Sequence, residues 1–214
     1  MTPTLILAST SPYRQELLHR LGWPFEARRP DFDEDAAKSR APREAFAHAA
    51  FLARGKAQSL LPWAKAQPAS ERPITMIGGD QLVAFENQIL GKPGSVEKAV
   101  DQLWRMSGKT HHLHTAVCVA QGTRLIEWVH TTRLTMRKLS QAQIQEYVRR
   151  DQPLDCAGSY KIEKQGLLLF ESIDCDDWTA IQGLPLMELS RALVKMGFTP
   201  FADSGTNPRK GESK

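Results

Sequence analysis

Cysteine is scarce in this 214-residue chain: Cys118, Cys156 and Cys175 are the only three, and no C-x-x-C pair occurs. So small and odd a set excludes a disulfide framework and a zinc knuckle, and it fits a reducing compartment. Long apolar runs are missing, and none approaches the roughly twenty residues that a membrane-spanning helix needs. No basic segment followed by a long apolar core stands at the start, so no secretory signal is expected and the chain reads as soluble and cytoplasmic. A basic stripe is absent too. Lysine and arginine exceed aspartate and glutamate by only 4, and their scatter speaks against a nucleic-acid partner. A mild positive balance suits a phosphorylated small molecule equally well. With no G-x-S-x-G, a serine nucleophile elbow is excluded.

What is present is an ordinary globular balance, 41% hydrophobic and 24% charged, at a length that can bury a proper core. AQPASERP at 66–73 reads as a loop. The polar end SGTNPRKGESK reads as a disordered tail. Residues 1–201 are therefore expected to form one domain with two lobes, and 202–214 a tail.

The chain opens with the apolar run LILA, short enough for a buried strand. Ser11 then reads as an N-cap and Pro12 as the first helical position, with Gly22 as the stop. Next come an acidic loop, DFDEDAAKS, and a long helix across PREAFAHAAFLARGKAQSLL. A short strand ITMI, the break GGD, a second strand QLVAF and a turn at Glu86-Asn87 follow. Ser95 caps another helix that runs to Gly108. HLHTAVCVAQGTRLIEWVHTTRLTMR alternates about a glycine turn and reads as antiparallel strands. LSQAQIQEYV carries a capping box from Ser140 to Gln143, with Leu139 and Ile144 as its staple. GLLLFESI is expected as a strand and LPLMELSRALVKMG as the last helix. Strands and helices are intermixed, which predicts an α/β fold with a mixed sheet.

Four features sit oddly. The hydroxyl-rich turn with Arg14 falls where a strand meets a helix, a place that can be an ordinary cap or can receive an anion. Lys56 lies on the apolar stripe of Ala45, Ala49, Leu52 and Leu60. Its stem either snorkels or carries the amine into a polar cleft, and the cleft is favoured because lysine is almost never buried unpaired. Asp80 follows two glycines at a strand end; the glycines let a backbone approach something closely, and the carboxylate suits a metal, a water or a plain turn. Lys92, in LGKPGS, points at phosphate or at solvent. Taken together, Arg14, Lys56 and Lys92 can neutralise phosphoryl oxygens, while Glu34 and Asp80 can hold a divalent metal and prepare a water.

The ordered set S-T-S-P-Y-R-x-x-L-L at 9–18, D-E at 33–34, G-K-A at 55–57, G-G-D-Q at 78–81 and G-K-P at 91–93 resembles the Maf family of nucleoside triphosphate pyrophosphatases. The resemblance runs to about Phe201. It implies an elongated mixed α/β sheet with a central cleft between two lobes, commonly a homodimer, and hydrolysis between the α- and β-phosphates of a nucleotide. It further implies Asp80 as the proton acceptor, Ser9, Arg14, Lys56 and Lys92 as triphosphate ligands, and Glu34 with Asp80 as ligands of Mg²⁺ or Mn²⁺. Three departures from the commonest family pattern, Tyr13 before the arginine, Gln81 after the aspartate and Glu163 closing DCAGSYKIE, resemble the branch that hydrolyses 7-methyl-GTP. A methylated guanine carries a positive ring, which suits an aromatic and a carboxylate. The same reaction on dTTP, UTP or another modified nucleotide is the near alternative. A non-catalytic nucleotide-sensing regulator of cell division is the distant one.

The remaining candidates read as structure. His111, His112 and His114 are expected as surface strand residues without a third metal ligand. Trp63 and Trp104 are expected as core or lobe contacts. Asp174-Cys175-Asp176-Asp177 is expected as a solvated loop.

Overall fold

The computed structural model describes residues 3–67 and 72–201; the expected tail and the middle of the 66–73 loop lie outside the described residues. Strand β1 (Thr4–Ala8) is buried from its second residue onward. Ser11 caps helix α1 (Pro12–His19), accepting from Arg14 N, with Pro12 at its first position. The chain returns as β2 (Phe25–Arg28), a strand that FEAR does not announce because only one hydrophobic face of a four-residue edge strand is needed. The acidic segment is not all loop: Asp33 caps a short helix α2 (Glu34–Lys38). The long helix divides into α3 (Ala45–Ser59) and α4 (Leu61–Lys65).

Two separate strands were expected around GGD, yet β3 (Ile74–Phe85) runs through without a break. The glycines are there for space rather than for a turn. A Cβ on Gly78 would lie 2.2 Å from the carbonyl oxygen of Ala53 and 2.9 Å from the Ala57 methyl, so only glycine lets α3 cross this close. Glu86 and Asn87 both have positive φ, 47° and 61°, and turn the chain into β4 (Gln88–Leu90) as a tight hairpin. Ser95 caps α5 (Val96–Met106). The long hairpin is β5 (Thr110–Gln121) and β6 (Arg124–Met136). Helix α6 (Gln141–Asp151) carries the expected capping box, and Leu139 and Ile144 join one apolar cluster. In GLLLFESI only the second half is strand, β7 (Phe170–Asp174); the first half belongs to a 3-10 turn, Gln165–Leu169. Two more helices close the fold, α7 (Trp178–Ile181) and α8 (Leu186–Lys195).

All seven strands join one mixed sheet in the order β2-β1-β3-β5-β6-β7, with β4 on β3. Strand β1 pairs parallel to β2 and β3, and the other pairings are antiparallel. At the β1 end the sheet is covered on both faces. Leu5 and Leu7 meet α1 and α8 on one side, while Ile6 and Ala8 meet the alanines of α3 on the other. At the far end a third cluster gathers α5, α6 and the ends of β3, β5 and β6. Trp104 is no part of it, being 54% exposed. No helix among the described residues is long and apolar enough to cross a membrane.

His111 departs from the surface position expected of it. Strand alternation turns His112 and His114 outward but His111 inward, where it is 1% exposed and lies against Tyr160 and Phe170. Burial pushes its pKa down from 6.5 to about 4, with His112 adding to the effect. The unfolded chain therefore binds a proton below pH 6.5 that the folded protein refuses until about pH 4. Stability is full above that window and falls through it by about 3 kcal/mol. Urea unfolding of wild type and His111→Phe, compared at pH 7 and pH 4.5, should shift in the variant's favour by about 2 kcal/mol on acidification. Parallel curves would remove His111 as the cause.

Candidate active site

Where β1 ends and its parallel pairing with β3 stops at Gly78, a cleft of about 440 Å³ opens, with Asp80 inside β3 rather than at a strand end. Open α/β sheets hold ligands beyond the carboxyl ends of parallel strands. Ser9, Tyr13 and Arg14 line it from the turn after β1. Glu34, Lys56, Asp80 and Gln81 also face it, as do Lys92 and Glu163. Every residue assigned from the sequence to the nucleotide site thus lines a single cavity.

Lys56 is the deepest cation, 6% exposed within the apolar face of α3. Its amine does not snorkel to water. It donates to Asp80 Oδ1 at 2.7 Å and lies 3.0 Å from Glu34 Oε1. Asp80 is 7% exposed, and its second oxygen, Oδ2, is buried without a hydrogen-bond partner. An unpaired carboxylate oxygen on a cleft wall is a costly arrangement unless a water, a cation or a substrate group completes it. Glu34 opens α2 and is half-exposed at 42% of its side chain.

Arg14 enters from the opposite face of β3. Its Nε donates to the carbonyl of Gly183 at 3.2 Å, so the fork is fixed while its terminal nitrogens remain for an anion. Burial lowers its pKa, and the charges of Asp80 and Glu34 act against that. Ser9 Oγ accepts from Ser11 N at 3.1 Å, which folds the hydroxyl turn back onto the start of α1. Lys92 is exposed on the loop before α5.

Tyr13 follows the same helix turn toward the other end of the cleft. Its hydroxyl pKa is raised by burial and then by Glu163, with Lys161 opposing. Gln81 is committed elsewhere than the sequence suggests. Its Nε2 donates to Thr115 Oγ1 at 2.9 Å and to the carbonyls of Ala180 and Ile181 at 3.0 and 3.3 Å. It fastens α7 to the sheet, and any contact with substrate falls to its carbonyl oxygen.

Sequence reasoning missed Gly183, Thr115 and Asp155. The first acts through a backbone carbonyl and the second sits in a strand that reads as core, so neither leaves a signal; Asp155 opens a quoted motif, but only the fold turns it into the cleft. Asp177 also corrects the expectation of a solvated acidic loop. It is 5% exposed and binds Thr179 N, Thr179 Oγ1 and Met187 N. Histidine and cysteine supply no metal centre: no group of three or more His, Cys, Asp or Glu among the described residues could hold an ion alone. Glu34 and Asp80 could hold one by sharing it with phosphate oxygens and water, as Mg²⁺ does.

Removing one partner of a buried pair leaves the other charge without compensation. Lys56→Met should therefore lower unfolding stability at pH 7 by about 3 kcal/mol, and adding Asp80→Asn should return part of the loss. Urea titration of the three variants checks this; equal loss in the single and double variants would mean the pair is not coupled.

Comparison with known proteins follows the same lines. Residues 4–196 match the family model described as Maf-like protein. The 7-methyl-GTP pyrophosphatase of Bdellovibrio bacteriovorus is 51% identical over 191 residues, covering 88% of this chain and 95% of the relative. That of Polaromonas is 42% identical over 214 residues, covering 97% and 93%, and that of Cupriavidus metallidurans 40% over 201 residues, covering 93% and 96%. By the family model and by these relatives, the chain belongs to the Maf family.

Proposed function

We propose that this protein hydrolyses 7-methyl-GTP to 7-methyl-GMP and diphosphate. The observation that carries the reading is the Lys56 amine between Asp80 and Glu34, set in one cleft with Arg14, Lys92, Tyr13 and Glu163. The names of the relatives favour the same substrate.

In this reading the triphosphate lies along the cationic side. Arg14 offers a rigid fork and Lys92 a mobile point charge, while Ser9 and the turn at the start of α1 present hydroxyl and N–H donors. Lys56 fixes Asp80 through Oδ1, so Oδ2 is the oxygen left to take a proton from water. The water oxygen then bonds to phosphorus, the bridging α–β P–O bond breaks, and diphosphate departs. Glu34 and Asp80, the two carboxylates that flank the Lys56 amine, are the groups that would hold a divalent cation. Mg²⁺ or Mn²⁺ held there would polarise the phosphoryl group and offset its charge. At the other end, Tyr13 supplies a ring face and Glu163 a negative charge for a positively charged base.

Purified protein with magnesium should release diphosphate, and no single phosphate, from 7-methyl-GTP faster than from GTP, UTP or dTTP. Asp80→Asn should lower that rate by a factor of about 10² to 10⁴ while nucleotide still raises the thermal midpoint. Faster turnover of UTP or dTTP would overturn the substrate, and an active Asp80→Asn would overturn the base.

A further inference from the structure

The segment that closes the cleft opposite the phosphate side holds an ion pair that the proposed reaction does not yet use. Asp155 lines the cleft, and Lys161 Nζ lies 2.9 Å from its Oδ1. The two partners differ in freedom. Asp155 exposes 63% of its side chain and Lys161 only 10%.

Lys161 is also fastened through its backbone. Its N–H donates to the Tyr147 hydroxyl at 2.9 Å, and its carbonyl accepts from Lys164 N and Gly166 N at 3.1 and 3.0 Å. Gly166 packs so closely that a Cβ there would stand 2.3 Å from that carbonyl oxygen. A lysine held this firmly fixes its partner rather than following it. The Cys156 thiol donates to the same Asp155 oxygen at 3.6 Å. Both bonds use Oδ1, and a carboxylate keeps a second oxygen for further donors.

We propose that Asp155 is a specificity residue that accepts a hydrogen bond from the exocyclic amine of the bound guanine, and that Lys161 is the positioning residue that holds it. The inference rests on the 7-methyl-GTP reading above. Its chemistry follows from the inventory of donors: the pairing edge of guanine presents an amine and a ring N–H, which a carboxylate can only accept. Tyr13 would place the base beside Asp155, since Tyr13, Asp155 and Glu163 line the same cavity. With Asp155 neutralised by Lys161, Glu163 remains as net negative charge for the cationic ring.

The test compares 7-methyl-GTP with 7-methylinosine triphosphate, which lacks the amine, and with UTP. Asp155→Asn should raise KM for 7-methyl-GTP about tenfold and move KM for the inosine analogue much less, the loss falling on KM more than on kcat. Lys161→Met, of similar length and uncharged, should give the same pattern, and Lys161→Arg should restore much of it. The double variant Asp155→Asn with Lys161→Met should lose no more than the worse single variant, because Lys161 acts through Asp155. Thermal midpoints of all four verify folding. An unchanged KM ratio between 7-methyl-GTP and its inosine analogue in Asp155→Asn would overturn the proposal, as would additive losses in the double variant. A wild type that prefers UTP would instead overturn the substrate reading and this inference with it.

Discussion

A buried ammonium shared between two carboxylates is the constraint around which this molecule is arranged. Lysine loses strong hydration when it enters an apolar helix face, and nothing but a close anion offsets that loss. Lys56 has two, Asp80 at 2.7 Å and Glu34 at 3.0 Å. To bring them together, α3 must approach β3 more closely than side chains allow. Gly78 provides the space, and the small residues Ala53 and Ala57 provide the matching surface. Because alternate strand residues share a face, Asp80 follows Gly78 onto the α3 side, where Lys56, next to Ala57, meets it. Gly79 faces the other way. A Cβ there would stand 3.4 Å from Arg14 Nε, so the second glycine leaves room for the guanidinium on the opposite side.

That geometry explains which parts of the chain were legible beforehand. Helix starts were, because Ser11, Ser95 and Ser140 cap by local chemistry that needs no tertiary partner. The hairpin at Glu86-Asn87 was legible for the same reason. The glycine pair was legible as a place of close backbone approach, but the approaching element was not, since it is a helix about twenty residues away in sequence. GLLL reads as strand by composition yet turns as 3-10 helix because Gly166 must fold back onto Lys161. The inward turn of His111 follows from strand alternation, and only the sheet says which face is the core.

The site was legible to the extent that charge stood out against pattern. Lys56 in an alanine stripe and Asp80 after an apolar strand violate the local rule, and such violations concentrate where chemistry is carried. Backbone donors and acceptors break no rule and so leave no mark. The Gly183 carbonyl that fixes Arg14 and the Ala180 carbonyl that receives both Gln81 and Thr115 emerge only from the fold.

Those hidden contacts matter for how the cleft can work. One glutamine nitrogen with two hydrogens faces three acceptors, Thr115 Oγ1 and two carbonyls of α7, and Thr115 adds a bond of 2.9 Å to the same helix. Asp177 then ties α7 to the first turn of α8 through Met187 N. The segment that holds Arg14 is thereby fixed at both ends to rigid elements. Tyr13 and Arg14, successive residues in the first turn of α1, point to different ends of one cavity, and their separation is set by the helix itself. A nucleotide bound there would be measured at two points, its phosphates by one side chain and its base by the next. In the proposed reading, selectivity for the base would follow from where the phosphates must lie, because a rigid ruler cannot shift to admit a base of another length.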